Sequence, residues 1–336
     1  MGTFQVAAHL TEIGADIGFS YFHPLSVPDL NGFPLEQAPP LHVQGEAILR
    51  FGFIEGDAVV KGNRVVHDPQ NWRDALAFTI NGSRADALGV VLNETELRQG
   101  TGLSGGAALK KLIAETGARV VVIKRGPHGA VVYEDGADHV VPAFRSETVF
   151  KIGSGDIFSA HFAHHWAGEK KPAVEAALAA SKAVASYVTT RDTQPAPHPW
   201  SLEPAPLNQP GRIYIAAPFF SMAQRWLVEE ARHALLRVGA PVFSPIHDVG
   251  TGGSAEAIAQ ADLEGLRNCR AVLALIDGED AGTLFELGYA RQREIPVVAL
   301  SEAPRPESLL MLSGSGCLIV NDFASAIYHA VWAASQ

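Results

Sequence analysis

The sequence predicts a two-domain α/β protein, and three features of the chain lead to this prediction. Its 336 residues exceed one ordinary domain and allow two, each able to bury its own core. Short apolar runs alternate with helical patterns in both halves. A proline-rich stretch at residues 192–210, which has neither helical nor strand periodicity, separates the halves. We therefore expect one domain at residues 1–191, a linker at 192–210 and a second domain at 211–336.

The first half has the pattern of an α/β domain. Apolar, β-rich runs at residues 119–124 and 139–144 predict strands. Helical patterns follow them at residues 156–166 and 173–188, and the second is rich in alanine. A sheet covered by helices is therefore expected in this half.

After the linker, strand and helix patterns alternate regularly, which predicts a doubly wound parallel sheet. The predicted strands lie near residues 213–217, 241–244, 271–276, 296–300 and 317–320. The predicted helices lie near residues 222–238, 255–268, 284–293 and 323–334. Because ligands of such sheets bind at the carboxyl ends of the strands, we expect the site in the loops after Ala217, Ser244 and Ile276.

Composition restricts the class of function. No apolar stretch is long and uniform enough to span a bilayer, and residues 1–10 lack the pattern of a secretory signal, so we expect a cytoplasmic protein without a membrane partner. The net charge of −10 argues against nucleic-acid binding, which requires a basic face, but it allows a small nucleoside or nucleotide. Cys269 and Cys317 lack the spacing of a metal site, and we expect buried thiols.

Two carboxylates of the second half are candidates for catalysis. Thr283 and Glu286 open a predicted helix in a Thr-x-x-Glu pattern, which is also the pattern of a capping box without a catalytic role. Asp262 favours catalysis because it shares a helix face with Ile258 and Leu266. A carboxylate on an apolar face is desolvated unless it is hydrogen-bonded or functional. The alternative is an aspartate at the rim of that face, bonded to a loop amide.

Three separated blocks of this half resemble the nucleoside 2-deoxyribosyltransferases. They lie at residues 213–220, at 261–263 with Asn268, and at 280–290. The resemblance implies a flavodoxin-like fold and an enzyme that breaks an N-glycosidic bond. It further implies a homo-oligomer, because the family completes each site across a subunit interface, and a reaction that requires neither a metal nor another cofactor.

The resemblance also implies the role of each catalytic residue. Glu286 would attack the anomeric carbon and form a glycosyl-enzyme intermediate. Asp280 and Asp262 would hold and protonate the leaving base, which requires that the carboxylates differ in pKa. Tyr214 would hydrogen-bond to Glu286 and orient it.

Five residues are candidates for substrate binding. Phe219 and Phe220 could stack on the base, although a place in the core is the commoner fate of phenylalanine. His247 and Asp248 follow the second predicted strand and either contact the sugar or form a solvated loop pair. Gly282, in the turn before the nucleophile, is the fifth candidate.

One departure from the family leaves the acceptor of the sugar open. The family often supplies an asparagine from a neighbouring subunit to bind the 5′ end of the sugar, and residues 308–312 read Ser-Leu-Leu-Met-Leu instead. Related proteins use serines there to bind a 5′-phosphate, and they pass the glycosyl group to water. Ser308, Ser313 and Ser315 are possible equivalents, with loop serines of no special function as the alternative.

The first half contains a glycine turn with the pattern of an anion-binding site. Gly153, Ser154, Gly155 and Asp156 precede an apolar helix, so that backbone amides and the helix N-terminus would lie beside a carboxylate. This arrangement suits phosphoryl transfer, whereas the other interpretation is a tight connection without ligand. Together with blocks at residues 65–69, 93–97 and 121–130, the turn resembles the last two-thirds of a ribokinase-type (PfkB) sugar or nucleoside kinase.

The kinase resemblance implies roles for three residues and two cofactors. Asp156 would deprotonate the sugar hydroxyl, and Asn93 and Glu96 would lie near magnesium and the phosphates of ATP. Two departures favour a scaffolding or ligand-sensing role instead: residues 1–60 lack the family's glycine-rich sugar contacts and lid, and Phe150–Lys151 replace its Asp-Thr pair.

These observations lead to several hypotheses of different class. The first is transfer of a sugar from a nucleoside or deoxynucleoside to a second free base, and its rival is hydrolysis of a nucleoside or its 5′-monophosphate. The others are a bifunctional kinase and transferase, and a nucleotide sensor without turnover.

Overall fold

The structure, a computed structural model, describes residues 16–32, 38–70, 78–193, 202–303 and 306–336. These residues contain two main sheets, each within an α/β layered domain, and this is the fold class that the sequence predicts. No helix among them is both long and apolar enough to cross a membrane.

The N-terminal domain contains a mixed sheet. Its described strands are β1 (Gly18–Ser20), β2 (Asp29–Asn31), β3 (Leu41–Phe51), β4 (Ala58–Asp68), β5 (Arg84–Asn93), β6 (Val120–Lys124), β7 (Ala130–Glu134) and β8 (Ala137–Val141). Its described α-helices are α1 (Glu94–Thr101), α2 (Gly105–Thr116), α3 (Ser154–Ala163) and α4 (Ala173–Thr190). Strands β3 to β8 follow one another in the sheet, parallel up to β6 and antiparallel from there, while β1 and β2 form a separate hairpin.

The C-terminal domain is a doubly wound parallel sheet. Its described strands are β9 (Ile213–Ala216), β10 (Val242–Phe243), β11 (Ala271–Leu275), β12 (Val297–Leu300) and β13 (Leu318–Val320). Its described helices are α5 (Met222–Arg237), α6 (Pro245–Asp248), α7 (Ala255–Arg267), α8 (Ala281–Gln292), α9 (Pro306–Gly314) and α10 (Phe323–Ala334). The strand order β10-β9-β11-β12-β13 is the flavodoxin-like order that the resemblance implies.

Helices α6 and α9 were not predicted. In α9, Leu309 and Leu312 pack on the core, whereas Leu310 and Met311 are exposed. The run of four apolar residues 309–312 has no polar break, so its sequence lacks the periodicity that predicts a helix. Tertiary contact alone distinguishes the buried pair from the exposed pair.

The two faces of the C-terminal sheet have different partners. Alternation along β9 places Ile213 and Ile215 against α5 and α10, in one cluster of buried residues. It places Tyr214 on the opposite face, with Leu266 of α7 and Leu287 of α8. The tyrosine is fully buried, and it therefore points toward the helices that follow β10 and β11.

Helix α10 also joins the two domains. The indole Nε1 of Trp332 donates to the carbonyl oxygen of Pro127 at 2.9 Å, and the backbone nitrogen of Val149 donates to Ser325 Oγ at 2.8 Å. Val149, Tyr328 and Trp332 form a buried cluster with Ala205, which lies in the predicted linker. Residues 194–201 of that linker lie outside the described residues.

Replacing Gly265 by alanine should destabilise the C-terminal domain. A Cβ atom at this position of α7 would meet the ring of Phe243, and forced overpacking of a core costs about 1–3 kcal/mol. Gly288 in α8 is the matched control, since a Cβ there meets nothing within 4 Å and the change to alanine should stabilise the helix by about 1 kcal/mol. Urea unfolding of both variants measures the difference. Equal free energies of unfolding would contradict the close packing of α7 on β10.

Candidate active site

A hydrogen bond between a buried tyrosine and a glutamate lies at the centre of the candidate site. Tyr214 is the second residue of β9, and its hydroxyl donates to Glu286 Oε1 at 2.6 Å. Glu286 lies in the second turn of α8, which begins after the carboxyl end of the neighbouring strand β11. The bond fixes one carboxylate oxygen and leaves the other for a ligand.

Burial changes the acidity of this pair. Loss of water raises the pKa of Glu286 to about 7, the hydrogen bond from Tyr214 opposes that rise, and the negative charges of Asp262 and Asp280 add to it. Burial, followed by the charge of Glu286, raises the pKa of Tyr214 as well, so the tyrosine remains a donor. The glutamate can therefore change its charge near neutral pH.

Asp280 is the N-cap of α8. Its Oδ2 accepts hydrogen bonds from the Thr283 backbone nitrogen at 2.8 Å and from Thr283 Oγ1 at 3.0 Å. Thr283 therefore lies inside the helix, and the interpretation of Thr283 and Glu286 as a capping box is wrong. The aspartate that precedes this pair caps the helix, because its oxygen reaches the amide three residues later.

Asp262 contributes an unsatisfied acceptor. Its Oδ1 is buried and has no hydrogen-bond partner among the described residues. Burial raises the pKa of this carboxyl, and its charge acts on Glu286. A buried oxygen without a donor is costly, so the structure favours a donor on a ligand or a proton on the carboxyl itself.

Asp277 is a positioning residue that the sequence did not indicate. It follows β11, and its two carboxylate oxygens accept from Ser301 Oγ and from the Glu302 backbone nitrogen, both at 2.9 Å. These bonds tie the loop after β11 to the loop after β12, three residues before Asp280. The following Gly278 has φ of 96°, so the turn itself requires glycine. The sequence signal was only an aspartate-glycine turn.

Phe219 and Phe220 follow the carboxyl end of β9, and Gly282 lies in the first turn of α8. The two aromatic rings are 5.5 Å apart after β9, and Phe220 is 72% exposed. A Cβ on Gly282 would come within 3.1 Å of Asp280 Oδ2, so that any side chain there would crowd this carboxylate. Of the serines considered for a phosphate, Ser315 donates to the carbonyl of Leu312, and the side chain of Ser308 is outside the described atoms.

His247 and Asp248 are bonded to other parts of the domain. The Nδ1 atom of His247 lies 2.9 Å from Ser244 Oγ, and its Nε2 lies 2.7 Å from Glu229. Asp248 accepts from Arg212 at 2.9 Å and from the Ser244 backbone nitrogen at 2.8 Å. The described contacts of both residues hold α6 at the sheet edge rather than reaching Glu286.

The glycine turn of the N-terminal domain lies beside a second charged cluster. Gly153 is the N-cap of α3 with φ of 79°, and a Cβ there would come within 2.6 Å of the Tyr187 hydroxyl. Asp156 lies in the first turn of α3, and Gln70 Nε2 donates to it at 3.3 Å. Burial and then the charge of Asp68 raise the pKa of Asp156, while Lys124 and Lys151 oppose this rise.

Two lysines distinguish this cluster. Lys124 forms an ion pair with the buried Asp68 at 3.0 Å. Lys151 donates to Ser154 Oγ at 2.8 Å, and it has no carboxylate partner among the described residues. Burial and the charge of Lys124 lower its pKa to about 8. Neither lysine could be assigned to a site from the sequence, because only the fold brings the two side chains together.

Asn93 and Glu96 form a capping box at the start of α1. Asn93 Oδ1 accepts from the Glu96 backbone nitrogen at 2.9 Å, and Glu96 Oε2 accepts from the Asn93 backbone nitrogen at 2.7 Å. Burial raises the pKa of Glu96, and Lys124 opposes this. A pocket lined by the two lysines also contacts Tyr328 and Trp332 of the other domain.

Solved structures resemble each half of the chain. A 2-deoxyribosyltransferase of Bacillus psychrosaccharolyticus is 29% identical over 33% of this chain and 86% of its own, with a TM-score of 0.30. A conserved protein of Enterococcus faecalis is 25% identical over 36% and 96%, with a TM-score of 0.27. A ribokinase of Thermotoga maritima is 23% identical over 39% and 44%, with a TM-score of 0.32, so the chain spans less than half of its length.

Family comparison assigns the same two halves. Residues 213–324 match the family described as nucleoside 2-deoxyribosyltransferase, and residues 67–200 match the pfkB family of carbohydrate kinases. None of the curated proteins matched the chain. The chain therefore joins a pfkB-like region to a C-terminal region of the nucleoside 2-deoxyribosyltransferase type.

Proposed function

We propose that the C-terminal domain cleaves the N-glycosidic bond of a nucleoside or 2′-deoxynucleoside and transfers the sugar to another base through a glycosyl-enzyme intermediate on Glu286. The observation that carries this proposal is the partly buried Glu286, which accepts a hydrogen bond from Tyr214 at 2.6 Å near the unsatisfied Asp262. The match of residues 213–324 to the transferase family supports the class of reaction.

The first chemical step forms one bond and breaks another. A carboxylate oxygen of Glu286 bonds to the anomeric carbon, and the pair of electrons of the glycosidic bond passes to the leaving nitrogen of the base. A carboxylic acid must give that nitrogen a proton. Asp262 is the group we assign to this role because burial raises its pKa, while Asp280 contacts the base with the oxygen that does not cap α8. The reverse sequence with a second base completes the transfer.

Hydrolysis is the alternative that uses the same glutamate. Transfer requires that water be kept from the intermediate. Phe220, which follows β9, and Phe285, which precedes Glu286 in α8, are 72% and 63% exposed in a single chain. A second copy of the chain covering these rings would exclude water, and a homo-oligomer is part of the proposal. An uncovered site would release the sugar to water.

In the N-terminal domain we infer an anion-binding role rather than kinase turnover. Lys124 and Lys151 line the pocket beside the first turn of α3, whose N-terminus favours an anion such as the phosphates of ATP. Magnesium fits less well, since Glu96 already accepts from a backbone amide and Lys124 opposes a second cation. No phosphoryl-transfer step follows from these residues, and the sensor is favoured over the bifunctional enzyme.

The Glu286→Ala variant should lose glycosidic cleavage by at least about 1000-fold, because the nucleophile is absent. Chromatography of nucleosides and 5′-monophosphates, with and without a second free base, measures this loss. New nucleoside formed only with the acceptor indicates transfer, and free base without acceptor indicates hydrolysis. Glu264→Ala, which removes an exposed glutamate of α7, is the control and should retain parental rates. Parental activity in Glu286→Ala would refute the assignment.

The Tyr214→Phe variant should move the acidic limb of the pH–rate profile to higher pH. Tyr214 lowers the pKa of Glu286 from the value that burial alone would impose, so its loss raises that pKa and leaves less carboxylate at pH 6. The profile of kcat/KM from pH 5 to 9 measures the shift. Tyr133→Phe, in the N-terminal domain, should leave the profile in place, and an unchanged limb in Tyr214→Phe would contradict the role of the hydrogen bond.

The Lys151→Met variant should weaken ATP binding to the N-terminal domain about 10-fold, because it removes a cation that has no carboxylate partner. Calorimetry without magnesium measures the affinity, and Lys110→Met, on the exposed surface of α2, is the control. Sugar-dependent formation of ADP with magnesium that disappears in Asp156→Asn would instead establish a kinase.

A further inference from the structure

A cluster of metal-binding side chains follows α3, apart from both candidate sites. His164, His165 and Glu169 each offer one ligand atom, and these atoms lie within 4.8 Å of one another. The cluster lies at the opposite end of α3 from the glycine turn and Asp156. Neither the transferase proposal nor the anion pocket uses these residues.

A π-helical turn brings the carboxylate back to both imidazoles. Residues His164–Gly168 form this turn, and the Glu169 backbone nitrogen donates to the His164 carbonyl five residues earlier at 2.9 Å. The wide turn lets Glu169 contact two consecutive histidines, with Oε2 at 2.7 Å from His165 Nδ1 and Oε1 at 3.5 Å from His164 Nε2. Single π-turns inside helices occur frequently at functional sites.

The turn is held by buried contacts. Trp166 is buried, and its ring stacks on Phe162 with the ring centroids 5.9 Å apart. Arg64 Nη1 donates to the Trp166 carbonyl at 2.7 Å, and the guanidinium also lies over the indole ring. The backbone that carries the two histidines is therefore anchored to the domain core, while the side chain of His164 is 54% exposed and that of His165 is 18% exposed.

The spacing of the donor atoms is close to that of a zinc site. Two tetrahedral ligands about 2.0–2.1 Å from zinc lie roughly 3.3 Å apart. The two imidazole-to-carboxylate separations, 2.7 Å and 3.5 Å, lie on either side of this value. Small side-chain rotations are sufficient to bring the three donors to one ion, and a water molecule would complete the coordination.

The cluster contacts a cationic side chain, the ammonium group of Lys171. The Lys171 ammonium lies 2.7 Å from Glu169 Oε2 and 3.3 Å from His165 Nδ1. This side chain is 42% exposed, so it can move into solvent when an ion takes its place.

We propose that His164, His165 and Glu169 bind a divalent transition-metal ion, with Zn²⁺ as the best match. Two imidazoles and a carboxylate suit zinc, nickel and copper, whereas magnesium and calcium prefer sites built only from oxygen. The ion would link the end of α3 to the segment that leads into α4, and it would replace the Lys171 ammonium at Glu169.

Calorimetric titration of the full chain with zinc chloride, after treatment with a chelator, tests the site. The parent should bind one more zinc ion than His165→Ala, and Glu169→Gln should weaken this ion at least about 10-fold. Lys171→Met should tighten it, because no ammonium then competes for the carboxylate. His139→Ala, on the exposed part of β8, is the matched control and should bind as the parent does.

Two results would overturn the site. One is the absence of saturable zinc binding to the parent, and the other is an isotherm that His165→Ala and Glu169→Gln leave unchanged. Circular dichroism checks that each variant is folded. Should His165→Ala fail to fold, the exposed Glu169→Gln decides alone, since its side chain lies at the surface.

Discussion

Glu286 is a carboxylate that the fold partly buries and provides with a single described donor, the hydroxyl of Tyr214. Burial of a carboxylate is unfavourable, and a hydrogen bond from a buried hydroxyl only partly offsets the cost. The part of this cost that the hydrogen bond does not offset raises the pKa of Glu286 to about 7. We relate the other carboxylates to this one. Asp280 and Asp262 act on the charge of Glu286, and Asp277 holds the loop that leads to Asp280.

The alternation of side chains along β9 places the candidate active site on one face of the sheet and the contacts with the N-terminal domain on the other. Tyr214 faces α7 and α8, where the carboxylates are, while Ile213 and Ile215 face α5 and α10. Helix α10 then continues the second face into the N-terminal domain through Trp332. One sheet thus supports the candidate active site on one side and holds the two domains together on the other, so that changes at the domain boundary need not disturb Glu286.

Much of this arrangement could be predicted from the sequence, and the exceptions have a common physical cause. Local periodicity predicted the strands of the C-terminal sheet, and three sequence blocks indicated Tyr214, Asp262 and Glu286. The cap of α8 could not be assigned locally, since Asp280 and Thr283 are both residue types that cap helices and only the backbone geometry selects Asp280. Asp277 and Lys151 act through partners that are distant in sequence or brought near by folding.

The most direct test of the account is to trap the covalent intermediate. A nucleoside whose 2′-fluorine slows the second step, incubated with the protein and followed by intact-mass and peptide analysis, should add one glycosyl unit to the peptide that contains Glu286. The same experiment with Glu286→Ala should add nothing. A parent protein that turns over nucleosides yet carries no adduct, or carries it on another residue, would contradict the assignment of Glu286 as the nucleophile.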